Sequence, residues 1–102
     1  MDKDQVIAKL REHEDELRAV GVQGLSLFGS AARNEATDAS DIDLVAQLDL
    51  EIVGRGFDYF SSLVDLKARL EAIVGKPVDI VSEPVGKPRL AREIERDRQR
   101  AF

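Results

Sequence analysis

The chain has 102 residues, enough for one domain with one core and too few for two. Hydrophobic residues make up 43% and charged residues 34%, a globular balance, and no apolar run is long enough to span a bilayer. A formal charge of -5 argues against direct binding to a nucleic-acid backbone. The absence of cysteine excludes disulfides and thiolate metal sites. MDKDQVIAKLREHE lacks the order of a signal peptide, so the cytoplasm is the default expectation.

Apolar positions Val6, Ile7, Leu10, Leu17 and Val20 predict one amphipathic helix from about Lys3 to Val20, stopped by Gly21. Val22 to Phe28 reads as a strand, with Leu25 and Leu27 alternating and Val22 out of phase. Gly29 and Ser30 break it, and Ser30 is a candidate N-cap for a short helix over 31–36. Thr37 to Ser40 has turn composition.

A second strand is expected from Asp41 or Ile42 to Leu48, with Ile42, Leu44, Ala46 and Leu48 on one face. Asp49 to Tyr59, with Gly54 and Gly56, reads as a loop with some helical ends. Ser62 to Asp65 resembles a capping box opening a helix that buries Leu63, Leu66, Leu70, Ile73 and Val74 and ends at Gly75 and Pro77. Val78 to Val81 is a short third strand, and a last helix starts near Pro88. The basic stretch Lys87 to Arg100 reads first as a solvated helix face with ion pairs, or else as a docking surface for an acidic partner. The fold class is α/β (α+β): a small mixed sheet of three to four strands flanked by helices.

Three carboxylates stand where core strands favour apolar residues. Asp41 and Asp43 are two apart on one strand and therefore project on the same face. Carboxylates so close repel unless a cation neutralises them, and hard divalent ions take oxygen ligands. Asp79 interrupts the apolar third strand, and pairing of the second and third strands would bring all three together. Taken singly, Asp41 could end a turn, Asp43 could face solvent and Asp79 could pair with an arginine. Gly29 and Ser30 at a strand end add a backbone cradle suited to phosphate oxygens. Arg33 is a candidate phosphate contact or an exposed surface arginine, and Ser40 is a turn or cap residue beside Asp41.

Gly29-Ser30, ten intervening residues and Asp41-Ile42-Asp43, followed by the strand VDIV, resemble the signature of the DNA polymerase β-type nucleotidyltransferases. The string GSAARNEATDASDIDLV resembles the small members of that superfamily, the minimal nucleotidyltransferases (MNT). Asn34 stands where many relatives carry glycine, and asparagine tolerates a left-handed backbone. The resemblance implies a nucleotidyltransferase fold and two Mg²⁺ ions on Asp41 and Asp43, with Asp79 as a further ligand or the base for the acceptor hydroxyl. It also implies ATP as co-substrate, its phosphates held by Gly29 and Ser30, with Arg33 and Ser40 as further nucleotide-binding candidates. Relatives of this size pair with a HEPN-domain toxin, so the implied role is a type VII antitoxin that transfers AMP to a toxin tyrosine. Two alternatives stay open: a contact-only binding module, and a transferase for a small molecule such as an antibiotic.

Overall fold

The structure, a computed structural model, describes residues 2–102. Its centre is a four-stranded mixed sheet, ordered β3-β2-β1-β4, with β1 at Val22–Phe28, β2 at Ile42–Leu48, β3 at Val78–Ser82 and β4 at Gln99–Arg100. β1 runs antiparallel to β2 and β4, while β2 and β3 are parallel. Among the described residues there are six helices: α1 (Lys3–Glu12), α2 (Glu14–Ala19), α3 (Gly29–Ala32), α4 (Leu50–Val53), α5 (Phe57–Val74) and α6 (Pro88–Asp97).

A capping box opens α1: Gln5 N–H donates to the Asp2 carboxylate, and Asp2 N–H donates to the Gln5 side chain, both at 2.9 Å. The single helix expected over Lys3 to Val20 is two helices. His13, at φ -107° and ψ 16°, breaks it, with its ring Nδ1 on Glu16 at 2.9 Å. The break keeps Leu10 and Leu17, one on each side of it, fully buried.

The out-of-phase Val22 also has a local cause. Val22 pairs with Leu48 and Gly24 with Gln47, so Gln23 is an extra residue in a bulge. That shift turns Val22 inward to join Leu25 in the core. Asp49 to Tyr59 contains α4, capped by the Asp49 side chain on Glu51 N–H. α5 begins at Phe57, five residues before the expected capping box. Ser62 lies inside it, donating to the Val53 carbonyl at 2.9 Å. Gly75, left-handed at φ 74°, closes α5 as expected.

One face of the sheet carries Leu25, Leu27, Ile42, Leu44, Ala46 and Val78 against the buried sides of α1, α2 and α5. This layer is the main core. The opposite face carries Phe28 and Val45, covered by Ile94 and Leu90 of α6. Ser26 and Asp43 share that second face, because side chains alternate along each strand. Among the described residues, no helix is long and apolar enough to cross a membrane.

Candidate active site

The strand register creates one cross-sheet row. Phe28 of β1 pairs with Asp43 of β2, and Asp43 pairs in parallel with Asp79 of β3. Residues opposite one another in a sheet point to the same side, with strands about 4.8 Å apart. Asp43 and Asp79 therefore stand side by side on the face that α6 only partly covers. Asp41, exposed, immediately precedes β2 at that end.

β3 is held at both of its ends by α5. Val78 N–H donates to the Glu71 carboxylate at 3.0 Å, and the Tyr59 and Ser82 hydroxyls meet at 2.7 Å. Asp79 sits between these two ties, exposed to an incoming molecule. β2 is paired on both sides, so Asp43 rides on an interior strand.

Asp43 is partly buried, and its carboxyl is pushed above the ordinary value. Burial is the first cause, followed by the negative charges of Asp79, Glu93 and Asp41. Arg33 alone pulls the other way. Its guanidinium is already engaged, with Nη1 on Asp97 at 2.6 Å and Nε on Glu35 at 3.0 Å. The acidic row thus lacks full compensation from the protein's own cations.

Gly29 abuts this carboxylate. Its φ is +69°, and a Cβ there would lie 2.5 Å from Asp43 Oδ2. Only glycine satisfies both the backbone angle and the clearance. α3 starts at Gly29 rather than after Ser30, its N-cap being Phe28. Ser30 is accordingly a first-turn residue. Amides of a first helical turn have no acceptor within the helix and face outward for one. α3 stops at Arg33, where Asn34 takes the left-handed conformation at φ 59°. The Asn34 side chain accepts from Lys3 N–H at 2.8 Å, fastening this turn to α1.

Ser40 turns its hydroxyl back to Thr37, 3.0 Å from the amide and 3.1 Å from the hydroxyl, which fixes the turn that delivers Asp41. Arg33 sits at the far end of α3, tied to α6 through Asp97.

Two residues of α6 join this region without having been singled out from the sequence. Glu93 lies close enough to raise the proton affinity of Asp43. Asp97 is not part of a solvated face: its side chain is 3% exposed and bound by both Arg96 and Arg33. Leu90, Ile94 and Asp97 fall at helical spacing on one stripe, the signal that places Asp97 inward.

The donor set suits a hard cation. Among the described residues, no three acidic, histidine or cysteine side chains close into a cage. Magnesium does not need one, since it commonly takes one or two carboxylates and completes its shell with water and substrate phosphates. Oxygen donors in excess of nearby cations fit such an ion.

Comparison with known proteins bears on the family and the fold. Residues 5–100 match the family model "Polymerase beta, Nucleotidyltransferase". The chain is 34% identical over 90 residues to a "Putative protein adenylyltransferase" of Methanocaldococcus jannaschii, covering 86% of each chain. It is 30% identical over 95 residues to the protein adenylyltransferase MntA of Thermococcus cleftensis, covering 92% of this chain and 90% of that one. A solved structure described as a "putative minimal nucleotidyltransferase" superposes with a TM-score of 0.71 at 36% identity, covering 97% of this chain and 95% of the other. A more distant one, at TM-score 0.54 and 18% identity, covers 98% of this chain and 68% of its own. It is described as a tri-AMPylated Shewanella oneidensis HEPN toxin in complex with MNT antitoxin, and it adds support for the fold.

Proposed function

This chain belongs to the polymerase β nucleotidyltransferase family, and on that premise we propose that it transfers AMP from ATP to a hydroxyl of a HEPN-domain toxin, a tyrosine in particular, as the antitoxin of a type VII pair. The observation that carries the reading is the row in which Asp43 and Asp79 stand side by side with Gly29 cleared around the Asp43 carboxylate. The relatives' description as protein adenylyltransferases supports AMP as the group and a protein as the acceptor. The fold neighbour described as an AMPylated HEPN toxin with its MNT antitoxin supports the partner class.

In this reading the acceptor oxygen attacks the α-phosphorus of ATP. A new O–P bond forms, the bond to the bridging oxygen breaks, and pyrophosphate leaves. Asp79, exposed at the end of the row, takes the hydroxyl proton. Backbone amides of Gly29 and Ser30, with the Ser30 hydroxyl, hold phosphate oxygens. Arg33 adds positive charge beside Asp43 while Asp97 and Glu35 fix its guanidinium, and Ser40 sets the turn before Asp41. Asp41 and Asp43, with Asp79 beside them, would hold two Mg²⁺ ions, which when bound neutralise charge on the triphosphate.

The test is transfer of label from α-labelled ATP, in Mg²⁺, to the HEPN-domain product of the adjacent gene. Label should reach that protein with the wild type and not with Asp41→Ala or Asp43→Ala. A toxin fully neutralised by both folded variants, with no label transferred by the wild type, would replace this reading with inhibition by contact alone.

A further inference from the structure

Ser26 lies on the sheet face that carries Asp43, is only 5% exposed, and has no part in the reaction described above. Its hydroxyl makes no hydrogen bond among the described residues, and it lines a hollow of about 200 Å³. Gly24 and Val45 complete the floor, and Gln47, the partner of Gly24 in the strand register, borders it. The backbone of Gly24 is not left-handed, so its angle does not demand glycine. A Cβ there would stand 3.3 Å from Gln47 Oε1, and its absence keeps the floor open.

An ion pair bridges this floor. Arg98 precedes β4 and Glu83 follows β3, the two edge strands, yet Arg98 Nη2 and Glu83 Oε1 meet at 2.8 Å. The pair therefore spans β1 and β2. Arg98 Nε is the one fully buried side-chain nitrogen or oxygen without a partner among the described residues. Arg100 lines the same hollow, opposite Ser26 in the β1–β4 register. It forms no ion pair among the described residues.

We infer that this hollow is a second anion site, apart from the carboxylate row, which takes a small oxyanion of the phosphate type through Arg98 Nε, the Arg100 guanidinium and the Ser26 hydroxyl. A buried guanidinium N–H without an acceptor is costly. Water would satisfy Nε and the hydroxyl but leave two arginines facing one carboxylate, whereas an oxyanion answers donors and charge together. Size narrows the ligand. The hollow holds several times the roughly 30 Å³ share of one water, and falls short of the 300 Å³ or more that larger ligands take. Donors from three side chains suit a tetrahedral group better than a planar carboxylate, which a single arginine fork can satisfy. The place is also distinct from the triphosphate cradle. Ser26 and Gly24 lie two and four residues from Phe28 on β1, about 7 and 13 Å from the row of Asp43 and Asp79.

The experiment is an NMR titration with inorganic phosphate at constant ionic strength, without ATP or Mg²⁺, read at the Arg98 Nε–Hε resonance. That resonance should shift and saturate with a Kd of about 1 mM. Arg100→Gln, at an exposed position, should keep the fold and bind about tenfold more weakly. Ser26→Ala should weaken binding less, and Arg100→Gln alone carries the test if that variant does not fold. Asp43→Asn should bind like the wild type, because it alters the other end of the face. No saturable shift at Arg98 overturns the inference, as does equal binding by Arg100→Gln or a chloride titration that reproduces the shift. Acetate binding as tightly as phosphate overturns the choice of a tetrahedral ligand. Saturation confined to the Gly29 and Ser30 amides overturns the second site altogether.

Discussion

On one face of the sheet, Leu25, Leu27, Ile42, Leu44 and Ala46 lie under α1, α2 and α5, sealed from water. On the other face of the same strands, Asp43 and Asp79 sit beside a lone covering helix, α6, with acidic neighbours and too little compensating charge. Adjacent residues Ile42, Asp43 and Leu44 thus serve opposite ends. Two fully buried side chains anchor the strand, and the carboxylate between them raises the cost of folding. The pairing teaches that the sealed core resides on one face and the uncompensated carboxylates on the other, separated by a single pleat.

Substitutions one residue apart should therefore fail in different ways. The largest effect is expected from Asp43→Asn, which should lower AMP transfer by about a thousandfold, the scale of several kcal/mol of lost charge stabilisation. The same variant should melt at or above the wild-type temperature without metal. The sign follows from the raised carboxyl: its contribution to stability is present below the ordinary value and is lost as pH rises through the folded one, so at neutral pH the ionised group is a burden. A marked fall in melting temperature would merge the two faces into one structural role.

Next in size, Leu44→Ala should lose about 3 kcal/mol of stability by chemical denaturation, the usual cost of a cavity at a fully buried leucine. Its remaining folded fraction should still transfer AMP.

Gly29→Ala should bridge the faces. The left-handed backbone alone costs about 1–2 kcal/mol, and the new methyl must displace the Asp43 carboxylate. Transfer should fall by about ten- to a hundredfold, more than the lost stability explains. A variant that loses stability and keeps its transfer rate would show that Gly29 serves the backbone alone.

The smallest effect concerns the Arg96–Asp97–Arg33 network. Hydrogen bonds from Arg96 and then Arg33 hold the Asp97 carboxyl down at about 2 despite its burial. A depressed carboxyl contributes stability above its unfolded value, 3.8, and loses it as pH falls through about 2. Asp97→Asn should melt a few degrees below the wild type near neutral pH, with the gap closing toward pH about 2 in a thermal series.

Much of the carboxylate row was legible in the sequence because strands encode it locally. Asp41 and Asp43 share a face by alternation, and Asp79 announces itself as a charge within VDIV. Asn34 in its left-handed turn follows from residue chemistry in the same way. What escaped depends on contacts distant in sequence. β4 has two polar residues and exists through pairing with Ser26 and Leu27. No glycine or proline marks His13 as a break, whereas Gln23 betrayed its bulge only as a phase error at Val22. The start of α5 was obscured because its first turns expose Phe57 and Phe60, so no buried apolar period marks them as helix and the Ser62 signal was taken for its start. Glu93 acts on Asp43 from fifty positions away and Asp97 on Arg33 from sixty-four, beyond the reach of any spacing rule.

The direct pairing of Asp43 with Asp79 bears on which changes of length the chain can absorb. The two carboxylates are set by register, so the crossover from Leu48 to Val78 is free to grow or shrink within its loops without moving either one. An insertion of one residue within Val78–Ser82 acts otherwise. It reverses the pleat beyond the insertion point, and one placed ahead of Asp79 would turn that carboxylate toward the leucines of the sealed face. Members of this lineage should then differ freely in the span between the second and third strands, and hardly at all in the count of residues within the strand that carries VDIV.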